Sequence, residues 1–110
     1  MKATVSPAFQ AFLQHAPGES KAWMDMVEKL AASPTLDAKT RSLCYLSVLA
    51  AMRLSSGVPF HAAHARSLGA TRDEVIGAIL VGLPAAGNTV IEALPLALTV
   101  FEHTASSPEP

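Results

Sequence analysis

Apolar residues recur at intervals of three and four along most of this chain, and short polar or proline-bearing breaks separate the runs. That is the period of a helix with one side turned to a core. Ser6 before Pro7 is a helix start, with a side-chain cap followed by proline at the first helical position. It predicts a helix to about His15, closed by Pro17-Gly18. Ser20 is expected to cap a second helix through about Ala32, with Trp23, Met26, Val27 and Leu30 on one apolar face. Ser33-Pro34-Thr35 interrupts the pattern, and Asp37 caps a third helix from about Ala38 to Leu54. Leu43, Cys44, Tyr45, Leu46, Val48, Leu49 and Met52 point all around this third axis, which predicts a buried helix.

The second half continues the pattern. A fourth helix is expected from about Val58 to Leu68, with Pro59 in its first turn and Gly69 just past its end. Thr71-Arg-Asp-Glu74 reads as a capping box that opens a fifth helix to about Leu83. Pro84 starts a sixth segment through about Thr104, with Pro95 as a candidate kink. No Asn-Gly or Asp-Gly turn joins alternating apolar runs, so no sheet is expected. The prediction is an all-α fold of about six helices in an antiparallel or orthogonal bundle. A single domain spans 1–110, with its core at about 20–104 and loose ends at 1–5 and 105–110.

Composition adds an assembly expectation. Half of the 110 residues are hydrophobic and 15% are charged, a dry balance for a chain with so much surface. A homo-oligomer (dimer, trimer or hexamer) is therefore expected, since obligate interfaces resemble a core cut in half. The net charge is −1 and no Lys/Arg cluster exists, which argues against nucleic acid and against an anionic membrane surface as partners. The longest uncharged apolar run, Val75 to Ile91, is shorter than the roughly 20 residues of a membrane span. One cysteine cannot form an intrachain disulfide, and the opening residues carry no apolar leader, so a cytoplasmic setting is expected.

The chemistry-bearing stretch is Gly57-Val-Pro-Phe-His61-Ala-Ala-His64, continuing to Gly69-Ala-Thr71. His61 and His64 stand three apart and share a helix face with Leu68, while Arg66 points away. Three readings remain open at this level. The pair is structural, sitting at an interface. It does acid–base work near neutral pH. Or it holds a metal, for which only two ligands are visible and a third must come from elsewhere.

Leu36-Asp-Ala-Lys-Thr-Arg41-Ser-Leu, then Val58-Pro-Phe-His61, then Leu68-Gly-Ala-Thr-Arg-Asp-Glu-Val-Ile-Gly-Ala-Ile-Leu80 resembles the carboxymuconolactone decarboxylase family, which includes the alkylhydroperoxidase D-like proteins. The resemblance covers about Leu36 to Leu98 and puts His61, not His64, on the family's recurring histidine. It implies an alkylhydroperoxidase D-like helical bundle that assembles into dimers or larger rings. The peroxidase branch it implies uses an upstream glutamate and a Cys-x-x-Cys pair. Here Gly57 and Leu54 fall at the cysteine positions and Ser42 at the glutamate. Cys44, expected inside the buried third helix, would keep its proton and stay inert. Thiol peroxidase chemistry thus lacks both its attacking and its resolving thiol.

The decarboxylase branch implies cofactor-free chemistry, with His61 as proton donor or acceptor. The expected function is a decarboxylase or related lyase acting on a small carboxylated lactone or enol acid. Substrate contacts are expected from His64, from the cations Arg41 and Arg53 on the third helix, and from Asn88 in the apolar segment Leu83–Pro95. That segment also suits close helix packing or a subunit contact. No metal and no cofactor are expected. The alternative is a non-catalytic oligomer of the same fold that binds a small apolar or acidic ligand.

Overall fold

The computed structural model describes residues 5–33 and 35–106, with side chains to residue 102. Pro34 in the second break and most of the expected loose ends, 1–4 and 107–110, lie outside the described residues. The helices are α1 (Pro7–His15), α2 (Pro17–Ala31), α3 (Ala38–Ala51), α4 (Val58–Ser67), α5 (Arg72–Leu80), the one-turn α6 (Leu83–Ala86) and α7 (Ala93–Ser106). Short 3₁₀ segments, Ser55–Gly57 and Gly87–Glu92, precede α4 and α7. Among the described residues there is no strand, as the all-α expectation requires.

Three helix starts follow local hydrogen-bond chemistry. Ser6 Oγ accepts from Phe9 N at 3.1 Å and Asp37 Oδ1 from Thr40 N at 2.7 Å. Thr71 Oγ1 accepts from Glu74 N and Glu74 Oε1 accepts from Thr71 N, both at 3.0 Å, which completes the capping box. Each bond satisfies a backbone donor that the first turn leaves orphaned. Glu74 also receives Lys39 Nζ at 3.1 Å, tying the first turn of α3 to that of α5.

The second helix departs from expectation. It starts at Pro17, with only Ala16 separating it from α1. A proline at the first position lacks a donor that would be orphaned anyway, so Pro17 opens α2 rather than closing α1. Ser20 is buried inside α2, donating to Pro17 O at 3.2 Å, and caps nothing.

α3 stops at Ala51, three residues short of the expected Leu54. Arg53 takes the left-handed conformation (φ 59°), Leu54 N donates to Leu49 O at 2.9 Å, and Arg53 N donates to Ala50 O at 3.3 Å. This is a Schellman turn with arginine where glycine is usual. α4 ends in the same motif with the expected glycine. Gly69 has φ 97°, and Ala70 N donates to Ala65 O at 3.0 Å.

α5 ends at Leu80, and the expected sixth helix is divided. Gly87 (φ 83°) ends α6 and starts the 3₁₀ turn, so Pro95 falls in the first turn of α7 rather than at a mid-helix kink. The 31-residue segment Arg72–Glu102 is long and apolar enough to cross a membrane by length and composition. Turns at Val81–Gly82 and Gly87 cut it into pieces each shorter than a span.

The core lies where α3, α4, α5 and α7 pack together, with Leu46, Val58, Val75, Ile79 and Val90 fully buried. The expectation of an all-buried α3 is corrected. Leu46, Leu49 and Ala50 face the core, but Tyr45, Val48 and Met52 stay 44%, 50% and 64% exposed. α1 and α2 form a hairpin pinned by Trp23, whose ring meets Phe9 edge-on at 5.5 Å and Phe12 at 6.2 Å. This hairpin packs mainly on itself, and the radius of gyration of 14.8 Å exceeds the about 13 Å of a compact chain this long.

The strain at Arg53 yields a stability test. A non-glycine residue in the left-handed region costs about 1 kcal/mol. Arg53→Gly is expected to raise the thermal midpoint by several degrees, read by circular dichroism, and an unchanged or lower midpoint would refute the strain.

Candidate active site

Three helical stripes face one another across an open space between the hairpin and the bundle. Trp23, Met26, Val27, Leu30 and Ala31 come from α2. Ala38, Arg41, Ser42 and Tyr45 come from α3, and His61, His64 and Leu68 from α4 and its cap. Each set follows three- and four-residue spacing, so each is one face of its helix. Together they line a half-open cavity of about 610 Å³. A smaller cavity of about 280 Å³ lies between α1, α2 and the start of α4, lined mainly by apolar side chains such as Phe9, Met24 and Phe60. Trp23, Val27 and His61 line both.

His61 is the best-placed titratable group. Its ring lies 4.5 Å from that of Tyr45 and 5.1 Å, edge-on, from that of Phe60. Burial, and secondarily the charge of His64, holds its pKa below the ordinary value near 6.5. The ring is therefore largely neutral at neutral pH, and its protonated form is a stronger acid than free imidazolium. His64, one turn on, is exposed at the rim of the larger cavity. The shared face expected of His61, His64 and Leu68 is present.

The two arginines separate. Arg41 is half-buried on the cavity wall, donating from Nη1 to Ala31 O at 3.1 Å and from Nη2 to Ser33 O at 2.6 Å. It caps the C-terminal end of α2, where orphaned carbonyls and the helix dipole favour a cation. Its charge meets no carboxylate within ion-pair distance among the described residues. Arg53 lies beyond the end of α3, exposed and lining neither cavity. Asn88 is exposed in the second 3₁₀ turn and lines neither. Both depart from the expected cluster because backbone turns, not helix faces, set their positions.

Tyr45 was not anticipated at the site, and Ser42 was noted only as standing where the peroxidase branch's glutamate would fall. Tyr45 and Ser42 share a face of α3, three residues apart, and both line the larger cavity. Ser42 is only 6% exposed, and its buried Oγ has no hydrogen-bond partner among the described residues. The spacing of Ala38, Arg41, Ser42 and Tyr45 was visible as a stripe, but its mixture of small, charged and aromatic residues did not mark a wall.

Residues 17–99 match the carboxymuconolactone decarboxylase family. The chain belongs to that family. The match begins at the first residue of α2 and runs into α7, so all three stripes that line the larger cavity fall inside it. No curated protein and no solved structure matches the chain.

For a carboxymuconolactone decarboxylase family member this site is poor in thiols. Cys44 lines neither cavity. The expectation that it is buried is overturned, because it sits on the uncovered side of α3. Among the described residues no three His, Cys, Asp or Glu side chains converge, and only His61 and His64 offer ring nitrogens near each other. What the arrangement can do is move a proton at His61, with the Arg41 cation on the opposite wall.

The two causes of the His61 shift can be separated by titration. In His64→Ala the His61 midpoint, followed by NMR of the ring protons, is expected to rise but stay below 6.5, since burial remains. A midpoint at or above 6.5 would show that burial does not govern the ring.

Proposed function

We propose that this protein is a cofactor-free decarboxylase, or a related lyase, acting on a small carboxylated lactone or enol acid with His61 as the proton-transfer residue. The observation that supports it most is the half-buried His61 ring, tilted against Tyr45 and edge-on to Phe60 on the wall of both cavities. Family membership supports the general class.

The chemistry is simple in outline. The bond from carbon to carboxylate breaks, carbon dioxide leaves, and the electron pair stays on the substrate as a dienolate. Protonated His61 then gives its proton to that carbon, which restores a neutral product framework. Arg41 is the cation on the wall that favours the anionic substrate, and Tyr45 and Trp23 give the cavity apolar sides.

A second reading, a non-catalytic ligand-binding member, is favoured by one feature. The cavity is mostly apolar, and its polar groups are few. The two readings part on turnover. Carbon dioxide release from γ-carboxymuconolactone and related acids is expected from the wild type and reduced about 10²- to 10⁴-fold in folded His61→Gln. The reaction consumes a proton through the imidazolium, so kcat/KM should fall as pH rises through the His61 midpoint, which lies below 6.5 in the free protein. Equal release by wild type and His61→Gln would leave the binding reading standing alone.

We also propose self-assembly, with the stripe Tyr45, Val48 and Met52 of α3 covered by a second copy. These residues are too apolar and too exposed to be an ordinary solvated face. Light scattering on the wild type should give a multiple of the 11.5 kDa chain mass. Val48→Glu combined with Met52→Glu should shift it toward the monomer. A monomeric wild type would dismiss the idea.

A further inference from the structure

We propose that Tyr45 is the positioning residue of His61: its ring, and not its hydroxyl, fixes which edge of the imidazole is presented to the cavities. This rests on the reading of His61 as the proton-transfer residue, and it assigns the group through which a neighbouring helix holds that residue in place.

A proton-transfer histidine is ordinarily oriented by a hydrogen bond at its second ring nitrogen, to a carboxylate or a backbone carbonyl. The His61 ring makes no hydrogen bond among the described residues, and only burial and the charge of His64 shift its titration. Without such a bond the torsion that swings the imidazole is broad and roughly two-fold, so hydrogen bonding leaves both edges open to the cavities. Packing has to choose between them.

Two of the ring's neighbours belong to its own stretch of chain. Phe60 meets it edge-on at 5.1 Å, and its Cδ2 edge faces Gly57, where an added Cβ would lie 3.7 Å away. Neither ties the ring to the rest of the bundle. Tyr45 does. It stands on α3, which packs against α4 and is anchored in the core by Leu46 and Leu49. Its ring lies 4.5 Å from the imidazole at an interplanar angle of 51°, the one ring contact that His61 makes outside its own segment among the described residues. Such contacts are directional, because the negative face of one ring attracts the positive edge of the other. They favour one arrangement by roughly two- to tenfold. The Tyr45 hydroxyl makes no hydrogen bond among the described residues, so the contact rests on the ring.

The test compares Tyr45→Phe, which keeps the ring, with Tyr45→Leu, which keeps an apolar side chain without it. Both are measured at matched helicity and at matched mass by light scattering. Tyr45 is 44% exposed, so neither change opens the core. An NOE between His61 Hδ2 and the Gly57 α-protons is expected in the wild type. It should weaken about twofold or more in Tyr45→Leu, as the ring samples both edges, and return in Tyr45→Phe. In carbon dioxide release from γ-carboxymuconolactone, Tyr45→Leu should lower kcat about two- to tenfold with KM little changed. Tyr45→Phe should rescue it. An undiminished NOE in Tyr45→Leu overturns the proposal. So does a raised KM at unchanged kcat, which makes Tyr45 only a part of the cavity wall. Failure of Tyr45→Phe to rescue kcat overturns it too, because the hydroxyl then holds the role. The NOE needs no substrate, so the outcome is separable from that of the catalytic reading. A weakened NOE in Tyr45→Leu with no carbon dioxide release by the wild type keeps the positioning contact and removes the decarboxylase. Equal release by all three proteins with an undiminished NOE does the reverse.

Discussion

The reversal between α3 and α4 fixes where His61 stands. Six residues separate the two helices, and nearly all of their geometry is backbone hydrogen bonding: Leu54 N to Leu49 O, Arg53 N to Ala50 O, and Gly57 N to Leu54 O. Val58, fully buried at the start of α4, locks the turn onto the core. The imidazole of His61 is thereby delivered to the Tyr45 ring. A Cβ at Gly57 would meet Leu49 and His61 at 3.6–3.7 Å, an ordinary van der Waals contact. Arginine holds the left-handed position of this turn at some cost in stability. The cost is tolerable because the turn is supported from both sides by buried helix.

The electrostatics of the site follow from the same scarcity that defines its composition. With few charges in the chain, the larger cavity is lined by one arginine and two histidines among mainly apolar side chains. Desolvation then dominates the titration of His61, and no carboxylate is near enough to oppose it. An incoming anion would therefore be the strongest local charge in the site. It would stabilise the imidazolium at the moment a proton is needed. Arg41 contributes in two ways. Its hydrogen bonds tether the end of α2, while its charge makes no ion-pair contact among the described residues and acts on Asp37 only at longer range.

The legible parts of this structure were those governed by short-range chemistry. The caps at Ser6, Asp37 and Thr71 and the glycine stop at Gly69 could be read because each involves a side chain or φ preference within a few residues. The family pattern and the His61–His64–Leu68 face were legible for the same reason. What a face meets is not a local property. Trp23, Met26 and Leu30 form a helical stripe in any environment, and nothing in their spacing says that they border a cavity rather than a core. The same blindness misplaced Cys44. A helix apolar on all sides reads as buried, yet α3 is covered by this chain on one side only. Arg53 was assigned to a helix face because the periodicity runs on past the residue where the backbone turns.

Tyr45 connects these two surprises. Its ring touches His61, and its side chain begins the exposed apolar stripe that continues through Val48 and Met52. A second copy seated on that stripe would press on Tyr45 directly, and through it on the imidazole and the cavity wall. Assembly would then deepen the burial of His61 and push its pKa further down, while also narrowing the route by which solvent reaches the ring. The hairpin of α1 and α2 bears on the same point from the opposite side, because Trp23 borders both cavities and packs mainly on its own aromatic neighbours. A hairpin that packs mainly on itself and an exposed helix face thus flank one half-buried histidine. If a second copy sits there, ligand binding and self-association would act on the same few side chains, and each would alter the other's free energy.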